Sequence, residues 1–159
     1  MSRPDLDPPT VTILRRSGAV APGRLFLAPS SGLGQHGPLI LDDAGAPIWF
    51  RPGHLPAMNF RAQTFHGEPV LTWWQALPGG GLGRGEHVVL DASYREVTRF
   101  PAGNGRRSDL HELLLTDRST AFVTSFEVRK HGKGLVMGGV VQELDVPSAR
   151  VLFEWRSLD

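Results

Sequence analysis

Three stretches of this chain repeat one pattern: "LILDDAGAPIWF", "VVLDASYREVTRF" and "QELDVPSARVLFEW". Each carries Leu-Asp, a polar turn, and a β-branched residue six positions after the aspartate: Asp42 with Ile48, Asp91 with Val97, Asp145 with Val151. Leu-Asp and turn residues between β-prone runs are hairpin chemistry, because an Asp carboxylate bonds its own backbone a few residues on. The three aspartates lie 49 and 54 residues apart. Between them, "NFRAQTFHGEPVLTWW" (Asn59–Trp74) and "DLHELLLTDRSTAFVTSF" (Asp109–Phe126) each read as strand, turn, strand. Two hairpins in a period of about fifty residues mark a four-stranded propeller blade. "DLHELLLTD" has some helix propensity, but the repeat assigns it to strand.

The expected fold is all-β: a partial β-propeller of two to three four-stranded blades over residues 25–159, after an N-terminal extension and first strand in residues 1–24. Propellers close with four to eight blades. A chain of 159 residues therefore reads as a fragment of a larger propeller, completed by remaining blades or by self-association. Alone, with edges and apolar faces unpaired, it is expected to be poorly soluble.

Gly32, Gly34 and Gly37 fit G-x-G-x-x-G, but "PLILDD" follows where a dinucleotide site needs a helix N-terminus. "GGGLGRG" (Gly79–Gly85) lacks a P-loop Lys-Ser/Thr pair and runs into "EHVVLD", another strand. With 17 Lys+Arg against 16 Asp+Glu, there is no electrostatic case for nucleic acid or an anionic membrane. The basic cluster "RKHGK" (Arg129–Lys133) reads as a solvated loop. No cysteine is present, which excludes disulfides, thiolate metal sites and a Cys nucleophile. No run approaches a membrane span, and "MSRPDLDPPTV" lacks the apolar core of a signal peptide, so the chain as written is cytoplasmic.

The chain resembles the bacterial arylsulfotransferase family, in particular its actinobacterial-type members, many described as secreted. The likeness runs through "GRLFLAP", "GPLILDDAGAPIWFRP", "GEPVLTWW", "GEHVVLDASYREVTRFPAGNG", "DLHELLLT" and "VVQELDVPSARVLFEWRSLD". "GEPVLTWW" and "AGNGRRSDLHE" are its most specific parts. The resemblance implies the N-terminal half of a six-bladed propeller outside the cytoplasm. It implies sulfuryl transfer from a phenolic sulfate ester to a phenol acceptor through a sulfohistidine, without a nucleotide sulfate donor; no cofactor and no metal are expected. Channel histidines, an arginine and an asparagine would hold the sulfate oxygens. The nucleophile is expected in blades outside this chain, which alone is expected to be inactive. A non-catalytic binding module and a quinoprotein-like propeller are the alternatives; no ligand for a cofactor is visible.

Of six histidines, His36, His54 and His131 sit among Gly and Pro, and His66 occupies a hairpin turn. His87 begins the strand "EHVVL" and reads as an edge position. His111 is the candidate catalytic residue: it opens the inner hairpin of its blade, within "DLHE", and its expected role is to bind sulfate. Arg106 and Arg107 read as exposed, and Asn104 as a turn residue. Trp73, Trp74, Phe126 and Trp155 read as packing between blades. Asp42, Asp91 and Asp145 read as scaffold.

Overall fold

The computed structural model describes residues 3–18, 21–31, 34–79 and 83–159. The all-β expectation holds: eleven strands and no helix form among these residues. They are β1 (Leu25–Leu27), β2 (Leu39–Leu41), β3 (Pro47–Phe50), β4 (Ala57–Phe65), β5 (Glu68–Ala76), β6 (Gly85–Leu90), β7 (Glu96–Phe100), β8 (Leu113–Leu115), β9 (Thr120–His131), β10 (Gly134–Asp145) and β11 (Arg150–Arg156). Three antiparallel sheets result, in the orders β1-β2-β3, β4-β5-β6-β7 and β11-β10-β9-β8. Every neighbour in a sheet is also a neighbour in sequence, so two of the sheets are four-stranded meanders. No strand forms in the described part of residues 3–24, where a first strand was expected; "PDLDPPTV" holds too many prolines for a ladder.

The Leu-Asp repeat becomes three hairpins of one design. Asp42 Oδ1 accepts the backbone N–H groups of Ala44 and Ala46 at 2.9 and 2.8 Å. Asp91 Oδ1 accepts those of Ser93 and Arg95 at 2.8 and 3.0 Å. Asp145 is bonded only by Ser148, and its turn is one residue longer, with Asp145 pairing Arg150. A bulge sits beside the leucine each time, between Ile40 and Leu41, Val89 and Leu90, and Glu143 and Leu144. It leaves Ile48, Val97 and Leu152 without a partner across the ladder, and all three are exposed. The β-branched position read from sequence is thus the bulge residue in two hairpins and its neighbour in the third.

Strand alternation gives each sheet two faces, and the sheets stack through them. Ile40 and Trp49 of the first sheet pack on Ala57, Phe60, Trp73, Val88 and Leu90 of the second. Val70, Val89 and Phe100 on the second sheet's other face pack on Leu113, Leu115, Ala121, Val123 and Leu144 of the third. Leu6 and Val11 of the N-terminal segment cover Leu39, Leu41 and Phe50 on the outer face of the first sheet. Contacts between sheets gather at the first strands, β1 against β4 and β4 against β8. Among the described residues nothing covers the outer face of the third sheet: Leu114, Phe126, Phe153 and Trp155 are exposed there.

A glycine is required at the start of β6. A Cβ on Gly85 would lie 2.1 Å from the Trp74 indole. Trp74 is fully buried, and its Nε1–H donates to the Ser108 carbonyl at 2.9 Å. That bond ties the second sheet to the segment entering the third. Gly80 and its neighbours to Leu82, in the same Gly-rich stretch, lie outside the described residues, as does Gly32 of the G-x-G-x-x-G match. Gly37 leads straight into β2, so no helix follows it.

Candidate functional site

The segment "GNGRRSDLHE" crosses from β7 to β8 and places its polar side chains at one end of the third sheet. Asn104 and Gly105 both have positive φ, 55° and 72°, as a tight turn requires. Asp109 follows and is buried. Its Oδ1 accepts the backbone N–H of His111 at 2.7 Å and the Thr124 hydroxyl at 2.8 Å. The same oxygen lies 3.2 Å from Nδ1 of His111. The His111 side chain is 65% exposed, and its ring meets Phe126 edge-on at 6.1 Å between centroids.

Register explains the wall beside His111. Thr124, Val141 and Trp155 are directly opposed across β9, β10 and β11 and share one face, as does Phe126 two residues from Thr124. These residues, with Asp109, His111, Ser125, Gly139 and Val140, line an open groove of about 300 Å³. Phe126 is 41% and Trp155 53% exposed. Among the described residues no Lys or Arg lines it. A larger cleft, about 420 Å³, lies against the N-terminal segment at Ile13, Arg15, Arg16 and Asp43. Another, about 490 Å³, lies at Gln35, His36 and His54. The groove at His111 is the candidate site because it sets an exposed imidazole against a buried carboxylate.

The four aromatic residues read as packing divide in two. Trp73 and Trp74 are core; Phe126 and Trp155 stand in solvent beside His111. Arg106 departs further from expectation. Its side chain is 16% exposed and pairs with Glu127 and Glu154 at 3.4 Å each. Burial alone would raise the Glu154 carboxyl, but hydrogen bonds from Gln142, Arg156, Asn104 and Arg106 outweigh it and hold it down to about 2. Arg107 is exposed. Asn104 fixes its turn as expected and also donates to Glu154 at 3.2 Å.

The other histidines stay away from the groove. His54, His66 and His131 are exposed, and His66 sits at φ 55° in its turn. His36 is half-buried in a bridge to Gly53. "RKHGK" is strand through His131, at the tip of the β9–β10 hairpin, not a loop. His87 contradicts its reading as an edge position. β6 lies between β5 and β7, and His87 is 0% exposed, opposite Trp74 and Phe100. Burial pushes its imidazole down to about 4; the Asp109 charge pulls it up, and Arg61 pushes it further down. Neither ring nitrogen has a hydrogen-bond partner among the described residues.

Among the described residues no group of His, Asp or Glu is placed to hold a metal ion, and no helix is long and apolar enough to cross a membrane. Sequence reasoning passed over Asp109 and Thr124. Asp109 had a signal in D-x-H, the spacing at which one carboxylate reaches both the backbone N–H and the ring of the histidine. Thr124 had none, because its contact depends on strand register. Comparison with known protein families, with characterised proteins and with solved structures finds no match to this chain.

Proposed function

We propose that this chain is part of an arylsulfotransferase-like β-propeller protein that moves a sulfuryl group between phenolic sulfate esters and phenols. The observation that carries the reading is the groove at "DLHE". An exposed imidazole, backed by a buried carboxylate, stands beside two exposed aromatic rings able to take a phenyl group. The sheets support the blade reading: two four-stranded meanders stack face to face, closest at their first strands, as blades around an axis would. The first sheet is a blade lacking its innermost strand, and the open face of the third is where a further blade packs. His111 then lies on the channel side, before the innermost strand of its blade. The histidine that carries the sulfuryl group, and the cations that hold its oxygens, come from blades outside these 159 residues. Such a protein works outside the cytoplasm.

The test is release of nitrophenol from para-nitrophenyl sulfate, with phenol as acceptor, in a protein carrying all the blades. His111→Ala should slow turnover about two- to tenfold, the loss of roughly 0.5–1.5 kcal/mol of hydrogen bonding between neutral groups, with an unchanged melting temperature. The chain by itself should release nothing. Unchanged turnover in His111→Ala would remove His111 from the site. The absence of any cation from the groove favours a second reading, a binding module for aromatic ligands with no transfer chemistry. Turnover by the longer protein excludes it.

A further inference from the structure

We propose that Asp109 is the positioning residue of this groove and makes His111 a hydrogen-bond acceptor, so that the groove takes the hydroxyl of a neutral aromatic alcohol and not a sulfate group. A carboxylate only accepts, and Asp109 Oδ1 faces Nδ1 of His111 at 3.2 Å. In the neutral imidazole the proton is therefore on Nδ1. The same Oδ1 is fixed by the His111 backbone N–H and the Thr124 hydroxyl, so it cannot swing away without breaking both bonds. Nε2, on the opposite edge of the ring, has no hydrogen-bond partner among the described residues, and its lone pair repels an anion.

The surroundings select in the same direction. An anionic sulfate calls for cations or charged donors. The groove has neither, and Arg106 is held by Glu127 and Glu154. What the groove offers is the edge of Phe126, the indole of Trp155 and the side chain of Val141. An aromatic ring seated against these brings a ring hydroxyl towards Nε2. The expectation from sequence, that His111 binds sulfate, is thereby replaced by one in which it binds the acceptor phenol. This rests on the groove being the phenol site, but its test needs no sulfuryl transfer.

The experiment uses the full chain with isotope-labelled histidine and tryptophan, followed by long-range proton–nitrogen correlation spectra at neutral pH. The expected result is the Nδ1–H tautomer for His111. Adding phenol should shift Nε2 of His111 and the indole of Trp155, whereas inorganic sulfate should move neither. Asp109→Asn, which can donate from its amide, should reverse the tautomer and weaken phenol binding roughly tenfold. If that variant does not fold, the wild-type tautomer and the two titrations still decide. A dominant Nε2–H form, or shifts with sulfate and none with phenol, overturns the proposal. The tautomer and phenol shifts, found beside a longer protein with no sulfuryl transfer, would leave it standing and sink the proposed reaction.

Discussion

The second and third sheets have the same topology and opposite fates. Both are four-stranded meanders, and both end on the same bulged Leu-Asp hairpin. The second is covered on both faces, by Ile40 and Trp49 on one side and by Leu113, Val123 and Leu144 on the other. The third is covered on one face only. At the bulge of the second sheet, Val89 points into the core; its counterpart beside the third bulge, Glu143, points to the open face, opposite Phe153. A shared bulged Leu-Asp design therefore does not decide burial; the neighbour does. The open face is also where His111, Phe126 and Trp155 meet, so the face of the third sheet without packing is the one with chemistry to offer.

The largest expected effects lie on the covered side. Trp74→Ala removes a fully buried indole and its bond to Ser108, and should lower stability by about 3–5 kcal/mol. Trp155→Ala on the open face should change it by roughly 0.5 kcal/mol or less. Urea midpoints followed by circular dichroism measure both; equal losses would erase the distinction between the faces.

Acid should act next, again through the covered side. His87 is held neutral at about 4, against an ordinary 6.5. Between those values the unfolded chain binds a proton that the folded chain refuses. Stability should therefore fall as pH drops from 6.5 towards 4, by about 3 kcal/mol in total, and His87 adds nothing further below that. The Asp109 and Arg61 charges act on this imidazole in opposite senses. Glu154, held at about 2, is protonated only at lower pH, so its contribution is lost in a separate window below 4.5. His87→Leu should flatten the upper limb of the curve while leaving the lower one. A curve unchanged by the substitution would mean that His87 is solvated.

The turns should give smaller effects. Asp91→Ala deletes two backbone hydrogen bonds and should lower stability by about 1 kcal/mol, more than Asp145→Ala in the looser third turn. Least of all, Gly139→Ala on the open sheet meets nothing within 4 Å. Gly85→Ala, which drives a Cβ into Trp74, should lower stability by about 1–3 kcal/mol. Melting curves of this pair are a direct contrast between open and closed packing.

Much of the scaffold was legible because it is local. Leu-Asp turns, His-Gly at 66 and 67, and alternating runs such as "EVTRF" announce strands and their ends within a few residues. What stayed hidden depends on which strand lies beside which. His87 looks like any polar residue until β5 and β7 flank it. Arg106 looks solvated until Glu127 and Glu154 arrive from β9 and β11. At the site, His111 was legible from its motif, whereas the wall of Phe126, Val141 and Trp155 exists only through the registers of β9, β10 and β11.

The central claim, that the open face at His111 is the functional part of these three sheets, meets its most direct test in amide shift mapping with phenol. The expected result is a set of shifts confined to Asp109–His111, Thr124–Phe126, Gly139–Val141 and Trp155, absent in His111→Ala. Shifts centred on Ile13, Arg16 and Asp43, or none at saturating ligand, would contradict it.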